Sequence, residues 1–347
     1  MTLPSTANGS RRATIAAIAE EVGVSTATVS KVLNGRGDVA EETRTRVEAS
    51  LELNSYRRRG KRQPPTTGHI ELVFHTLGAD WAMEIIRGVE AVTAPAKVAM
   101  VLSHLEGLYR PSDEWLEGVL ARRPMGILLV MCGLTPAQQG QLHRHRIPLV
   151  AVDTDSATAA SVPTVGSNNW NGGLLAARHL VELGHRRMGV ICGPQNVLNS
   201  QARLAGFRQG HEEAGLELDH ELVRYGNFYL EAGYTHGMAL LDRDDRPTAI
   251  FAGSDMQAMG VLRAARRLGL DVPGQLSLIG YDNLPLSAWT DPGLTTVDQQ
   301  LRDMAGTATR MVLDLARGVE PALKRVDLVT ELVVRESTAP PDGAATR

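Results

Sequence analysis

Apolar positions recur along this chain in two different rhythms. Between residues 14 and 33, Ile15, Ile18 and Val22 fall on one face at helical spacing, and small Ala19 allows a close helix contact. Gly23 supplies a sharp turn. Ser25 is placed to cap a second helix, expected from Thr26 to about Leu33. Val29, Val32 and Leu33 face inward on that helix and leave Thr26, Ala27, Ser30 and Lys31 outward. From Ile70 onward, short apolar runs alternate with amphipathic stretches. The runs predict strands over 70–74, 98–102, 126–131 and 149–152, then over 188–192, 248–252 and 276–280. Helices are expected between them, over 81–92, 136–145, 172–183, 202–214, 231–241 and 256–268. Such alternation argues parallel sheets with helices on both faces. Two successive series argue two similar lobes, whose facing strand ends enclose a ligand cleft.

The small, polar, cationic outer face of the second helix fits a major groove, so nucleic acid is the first candidate partner. Charge agrees with this. Residues 1–62 carry 11 Lys and Arg against 7 Asp and Glu, whereas the whole chain has a net charge of −3. A basic head on an acidic body fits a nucleic-acid module attached to a domain with another task. Arg57, Arg58, Arg59, Lys61 and Arg62 form a dense cationic run, and Pro64–Pro65 stops any helix there. Beside a DNA-binding module, that run is expected to meet phosphate or the minor groove.

With 347 residues and 43% apolar content, two or three domains with sizeable cores are expected. Cys132 and Cys192 sit in apolar runs and read as reduced core residues of a cytosolic protein. The first ten residues lack an apolar core, so no secretory signal is expected, and no run is long enough to span a bilayer. There is no Gly-x-Ser-x-Gly, His-Glu-x-x-His or phosphate-loop motif. No enzymatic activity, cofactor, metal or membrane partner is expected.

The run Val22-Gly-Val-Ser-x-x-Thr-Val-Ser-Lys-Val-Leu-Asn-Gly, followed by Val39-Ala-Glu-Glu-Thr-Arg and Tyr56, resembles the headpiece of the lactose/galactose repressor (LacI/GalR) family of transcriptional regulators. The body is similar to that family's effector-binding domain through Gly166-Ser-Asn-Asn, His179-Leu-Val-Glu-Leu-Gly-His, Arg203-Leu-Ala-Gly-Phe, Ala252-Gly-Ser-Asp, Gly280-Tyr-Asp-Asn and Pro292-Gly-Leu-Thr-Thr-Val-Asp-Gln. The resemblance implies an all-α helix-turn-helix headpiece plus a two-lobed α/β domain like the periplasmic sugar-binding proteins, with two parallel doubly wound sheets. It implies a third headpiece helix at about 41–53, with Thr43, Val47 and Leu51 on one face. The expected domains are a headpiece over 1–56, a basic linker over 57–68, an effector and dimerisation domain over 69–335, and a polar tail over 336–347. Within the domain, one lobe takes about 69–157 and 290–318 and the other 158–289 and 319–335. The lobe crossings are expected near 155–162, 281–289 and 312–327.

By the same resemblance, Thr26, Ala27 and Lys31 read bases. Lys31 can donate to guanine O6 and N7, and the Thr26 and Ala27 methyls can meet a thymine methyl. Ser25, Ser30 and Asn34 suit phosphate contacts, which set register. Family members carry a hinge helix whose leucine wedges into the minor groove, but residues 57–63 hold neither alanine nor leucine. Charge from Arg57, Arg58 and Arg59 is therefore expected in its place.

Trp81, Asp153, Arg203, Phe228, Ser254, Asp282 and Gln299 fall at positions that contact effector in the family. The chemistry suits a sugar, since planar polar side chains bind hydroxyls and aromatic rings cover apolar ring faces. The plain alternative for Arg203 and Asp282 is a structural ion pair. For Trp81 and Phe228 it is core packing, a reading that Trp170 and Trp289 fit better than ligand contact. The expected protein is a cytoplasmic, homodimeric repressor that leaves a near-palindromic operator when a sugar binds. A purine-like corepressor that tightens DNA binding is the nearest alternative. A sugar-transport protein would need a signal peptide and no headpiece. A sugar-active enzyme would need paired acid and base carboxylates facing a cleft, a part Asp153 and Asp282 could be imagined to play.

Overall fold

The computed structural model describes residues 14–33, 39–54, 68–77, 80–107, 109–154 and 162–341. Two compact units divide the chain at Thr66–Thr67. The first contains α1 (Ile15–Val22), α2 (Thr26–Leu33) and α3 (Glu41–Leu53). Thr14 caps α1 by accepting from the Ala17 N–H, and Gly23 ends it in the left-handed conformation at φ 72°. That conformation costs a glycine little, which is why the turn is this tight. Ile18, Ala19, Val22, Val29, Val32 and Val47 form the shared core, with Leu33 and Leu51 packed against it. Arg46 of α3 donates to the Val22 carbonyl at 2.6 Å and fixes the third helix against the end of the first.

The second unit holds two six-stranded sheets. The first sheet contains β1 (His69–Phe74), β2 (Ala99–His104), β3 (Gly126–Val130), β4 (Leu149–Val152), β5 (Thr164–Ser167) and β11 (Arg325–Leu328), ordered β11-β5-β4-β3-β1-β2. Its helices are α4 (Asp80–Thr93), α5 (Asp113–Arg122), α6 (Pro136–Arg144) and α11 (Leu301–Ala316). The second sheet contains β6 (Met188–Cys192), β7 (Val223–Tyr225), β8 (Ala249–Ala252), β9 (Ser277–Tyr281), β10 (Thr295–Asp298) and β12 (Glu331–Val333), ordered β12-β10-β9-β8-β6-β7. Its helices are α7 (Asn169–Glu182), α8 (Leu198–Glu213), α9 (Leu230–Leu241) and α10 (Asp255–Arg267).

Period-two alternation divides each sheet between two cores. Ile70, Leu72 and Phe74 of β1 meet α4 and α11, whereas Val73 faces α5 and α6. On the second sheet, Val190 and Phe251 meet α7 and α8, whereas Ile191 and Ile250 meet the α9 and α10 side. Burial on both faces is why these strands read as near-continuous apolar runs. Glu71 breaks that run, fully buried in β1. It is compensated by Ser103 and by a 2.6 Å ion pair with Arg122 of α5.

The sheets are not wholly parallel, because β12 pairs antiparallel with β10. The lobe crossings also fall later than the family resemblance places them. β5 pairs with β4 and β11, so residues 164–167 belong to the first sheet. β10 pairs with β9, so 295–298 belong to the second, and β11 brings 325–328 back to the first. The chain therefore crosses around Asn168, around Gln299–Gln300, and at Val329–Thr330. Segments such as TVGS, TTVD and RVDL carry too few apolar residues to show as strands on their own. The expected polar tail starts as packed structure. Ser337 is fully buried and its hydroxyl bonds both the Leu278 carbonyl and the Thr295 N–H.

Candidate functional site

A cavity of about 930 Å³, counted to its open mouth, lies between the two lobes of the second unit. Its walls come mainly from residues just past strand ends. His75 follows β1, Met131 follows β3 and Asp153 follows β4. Asn227 and Phe228 follow β7, Ser254 follows β8 and Asp282 follows β9. This is where open α/β sheets place ligands, because the chain leaves each strand with its backbone and side chains turned into one crevice. Met131, Asp153 and Asp282 take positive φ values of 52°, 48° and 118°, which aims the turns after β3, β4 and β9 away from regular strand geometry. Trp81 reaches the cavity from the first turn of α4 and Arg203 from α8.

Arg203 and Asp282 form the polar floor, both nearly buried at 5% and 6% exposure. The Arg203 Nε donates to Asn169 Oδ1 at 2.8 Å and Nη1 donates to the Gly253 carbonyl at 2.6 Å. Its guanidinium stacks over the Tyr281 ring at 3.6 Å and lies 5.4 Å from the Phe228 ring. Its nearest approach to Asp282 is 4.0 Å, so the pair is electrostatic and not a direct hydrogen bond. Gln299 bridges them. Its amide nitrogen donates to Asp282 Oδ1 at 2.5 Å, while its oxygen accepts from Arg203 Nη2 at 3.5 Å and from the Ser167 hydroxyl at 3.1 Å. Burial pushes the Asp282 carboxyl well above the usual carboxylate range. The Arg203 charge opposes that rise, and Asp255 and Asp153 add to it.

Asp153 lies on the opposite lobe and meets α8 across the cavity. Its Oδ1 accepts from Asn199 Nδ2 at 2.9 Å, and its carbonyl accepts from the same nitrogen at 3.3 Å. Ser254 caps α10, accepting from the Gln257 N–H at 3.0 Å and donating to the Phe228 carbonyl at 2.9 Å. The Ser254 hydroxyl thus fixes the loop that carries the Phe228 ring.

Six of the seven expected cleft residues line one cavity: Trp81, Asp153, Arg203, Phe228, Ser254 and Asp282. Gln299 does not. It is fully buried behind the wall, because β10 ends there and its side chain is taken up by Arg203, Asp282 and Ser167. Trp170 and Trp289 are neither core nor cleft, at 43% and 85% exposure. Among wall residues not foreseen are His75, Tyr109, Asn199 and Asn227. The strand-end rule was the available signal for His75 and Asn227. Both cysteines are buried thiols pushed up to about 12 by burial. Among the described residues, no group of His, Cys, Asp and Glu is placed to hold a metal ion. No described helix is long and apolar enough to cross a membrane.

On the first unit, Thr26 and Ala27 are exposed at the start of α2, and Ser30 and Lys31 are partly exposed further along the same helix. Ser25 caps α2, its hydroxyl accepting from the Thr28 N–H at 3.1 Å. Asn34 and Arg57, Arg58 and Arg59 lie outside the described residues, as does most of the basic linker.

Comparison with known proteins adds to this geometry. The family described as "Bacterial regulatory proteins, lacI family" matches residues 14–58, and the "Periplasmic binding protein-like domain" matches residues 177–338. The HTH-type transcriptional repressor PurR of Escherichia coli O1:K1 / APEC is 35% identical over 332 residues, covering 94% of this chain and 97% of that protein. Among solved structures, the transcriptional regulator CelR–cellobiose complex superposes with a TM-score of 0.69 at 28% identity, covering 94% of this chain and 100% of CelR. The transcription regulator CcpA of Lactococcus lactis gives a TM-score of 0.70 at 26% identity, over 78% of this chain and 99% of CcpA.

Proposed function

The chain belongs to the lacI family of bacterial regulatory proteins and is a DNA-binding transcriptional repressor, and on that premise we propose that its effector is a sugar that releases it from operator DNA. The observation that carries the sugar is the cavity floor. A guanidinium and a carboxylate, Arg203 and Asp282, stand 4.0 Å apart at nearly buried positions, with the Trp81 and Phe228 rings on the walls. Vicinal hydroxyls need donors and acceptors in that proximity, and a sugar's apolar face needs a ring to lie on. The relative CelR was solved with cellobiose.

In this reading α2 docks in the major groove. Thr26, Ala27 and Lys31 meet base edges, while Ser25, Ser30, Asn34, Arg57, Arg58 and Arg59 meet phosphates. The protein works in the cytoplasm as a homodimer, one headpiece to each half of a near-palindromic site. Trp81, Asp153, Arg203, Phe228, Ser254 and Asp282 hold the effector, with Gln299 positioning two of them from behind. The Asp153–Asn199 bonds already join the lobes, so a ligand touching both walls favours closure over opening. Coupling of about 1–3 kcal/mol between the two sites suffices for a regulatory response.

A purine-like corepressor is the second reading, favoured by the near full-length similarity to the repressor named PurR. It differs in sign, since a corepressor tightens operator binding. Asp282→Asn keeps the side chain's volume and removes its charge. This variant should still bind operator and lose sugar binding about tenfold or more by calorimetry. Undiminished sugar affinity in this variant would remove Asp282 from the effector site.

A further inference from the structure

The strands of the first sheet all run parallel, so their starts lie along one edge. Backbone bonds knit that edge together. The Gly68 carbonyl accepts from the Ala99 N–H at 2.9 Å, the His69 carbonyl from the Met125 N–H at 2.8 Å, and the Lys324 carbonyl from the Thr164 N–H at 2.8 Å. The segments leading into these strands carry exposed cations. Lys97 precedes β2, Arg123 precedes β3, Arg144 and Arg146 precede β4, and Lys324 precedes β11. Among the described residues none of these five is ion-paired, whereas Arg122, Arg317 and Arg325 are held by Glu71, Asp314 and Asp327. The acid in the described turns of this edge is Glu320. At the opposite edge, the described turns after the strands hold Glu106 and Asp153 against Arg110. The sheet is therefore basic at its strand starts and not at its strand ends.

Helix ends explain part of this charge. Arg123 and Arg144 lie at the C-terminal ends of α5 and α6, where a cation complements the helix dipole. The effect fades beyond the last turn, so it does not account for Lys97, well past the end of α4, or for Lys324, well past the end of α11. Backbone geometry is a second observation. Lys97, Arg123 and Arg146 take positive φ values of 55°, 52° and 57°, where glycine or asparagine is the usual residue. Three cations are thus kept at positions whose backbone favours an uncharged residue.

The chain enters the second unit at this same edge, since β1 begins at His69. Residues 55–67 join it to the headpiece and span at most about 45–50 Å when fully extended. They include the cationic run over 57–62. We propose that the basic edge of the first sheet is a second DNA surface, which meets backbone phosphates of the duplex that the headpiece holds. Exposed lysines and arginines meet phosphates without reading sequence. Each such contact is weak alone, but the tether makes it intramolecular and raises the effective concentration of phosphate at the edge. The edge adds affinity for any duplex and leaves base preference to α2. This rests on the DNA-binding function and is independent of what the effector is.

The test is fluorescence anisotropy of the full-length protein on a labelled random-sequence duplex of about 40 base pairs, repeated over a series of salt concentrations. One variant combines Lys97→Gln, Arg144→Gln, Arg146→Gln and Lys324→Gln. Its affinity at low salt should fall about tenfold or more. The slope of log affinity against log salt should shrink by about 0.9 for each cation that meets a phosphate, and by at least about two in all. A control variant removes the same charge from exposed positions of the other lobe, through Arg186→Gln, Arg208→Gln, Arg266→Gln and Arg267→Gln. It should keep the wild-type slope. Equal slopes for wild type and the first variant overturn the proposal. So does an equal loss in both variants, which is the effect of net charge alone. If melting curves show that the fourfold edge variant fails to fold, Lys97→Gln/Lys324→Gln carries the test with about half the change in slope. Failure of the wild type itself to bind the duplex would overturn the DNA-binding reading and this proposal together.

Discussion

Three single residues carry most of what can be tested locally. Lys31 sits on the outward side of α2, about one turn beyond exposed Thr26 and Ala27. Lys31→Ala should weaken operator binding by about 1–3 kcal/mol and relax preference at one base step of each half-site. Equal loss on operator and random duplexes in titrations at fixed salt would make Lys31 a phosphate contact. Asp255 is a different case. It is fully buried at the start of α10, accepting from the Thr296 hydroxyl at 2.5 Å and the Leu284 N–H at 2.7 Å. Burial raises its carboxyl from 3.8 to about 7. A folded-state pKa above the unfolded one means that the native state holds the proton more tightly. The resulting stability is complete at pH values below the unfolded pKa and is lost as pH rises through about 7. His179, His185 and His211 are lowered by burial and act oppositely, losing stability as pH falls. Urea unfolding of wild type and Asp255→Asn cancels the histidines. The wild-type advantage should be larger near about pH 5 than near about pH 8. A constant advantage would show that Asp255 does not titrate in this range. Asp282, also raised by burial, is best examined through ligand binding, since it faces the cavity.

At the level of elements, the site depends on how closely α7 and α8 approach. An added Cβ at Gly206 of α8 would collide with the Trp170 carbonyl, and one at Gly173 of α7 with the Arg203 carbonyl. The two backbones are therefore in contact, and the Arg203–Asn169 bond of 2.8 Å spans them. Gly206→Ala should destabilise the protein by about 1–3 kcal/mol and weaken effector binding as Arg203 shifts. Gly140→Ala in α6, whose added Cβ meets only the Arg144 side chain at 3.6 Å, should be neutral or stabilising by up to about 1 kcal/mol. Equal urea midpoints for the two variants would contradict the close-packing account. The elements also show what was legible from sequence. Continuous apolar runs such as β3 and β6, and a long run with a clear helical period such as α10, were readable because burial on known faces dictates their residues. β5, β10, β11 and β12 were not, being three or four residues long and recruited by pairing with strands distant in sequence. α11 also escaped notice, although its buried Met304, Ala305, Ala308 and Val312 recur at helical spacing on the first sheet.

For the whole molecule, the cleft was legible where a residue type itself carries the chemistry. Arg203, Asp282, Trp81 and Phe228 all reach the cavity. Gln299 could not be separated from them by pattern, because whether a polar side chain faces a cavity or supports the residues that do is decided by packing across the lobes. Asn199 was missed for the same reason, as its role comes from its bond to Asp153 across the cavity. The central claim links two units of one chain. A headpiece binds DNA, and a cavity in the other unit decides how tightly. One measurement tests that link most directly: fluorescence titration of the full-length protein onto a near-palindromic operator, repeated with saturating sugars and, separately, purines. The account predicts that at least one sugar weakens operator affinity by about 5–150-fold, the range of a 1–3 kcal/mol coupling, and that Asp282→Asn abolishes this response. Tighter operator binding with a purine, and no change with any sugar, would contradict it.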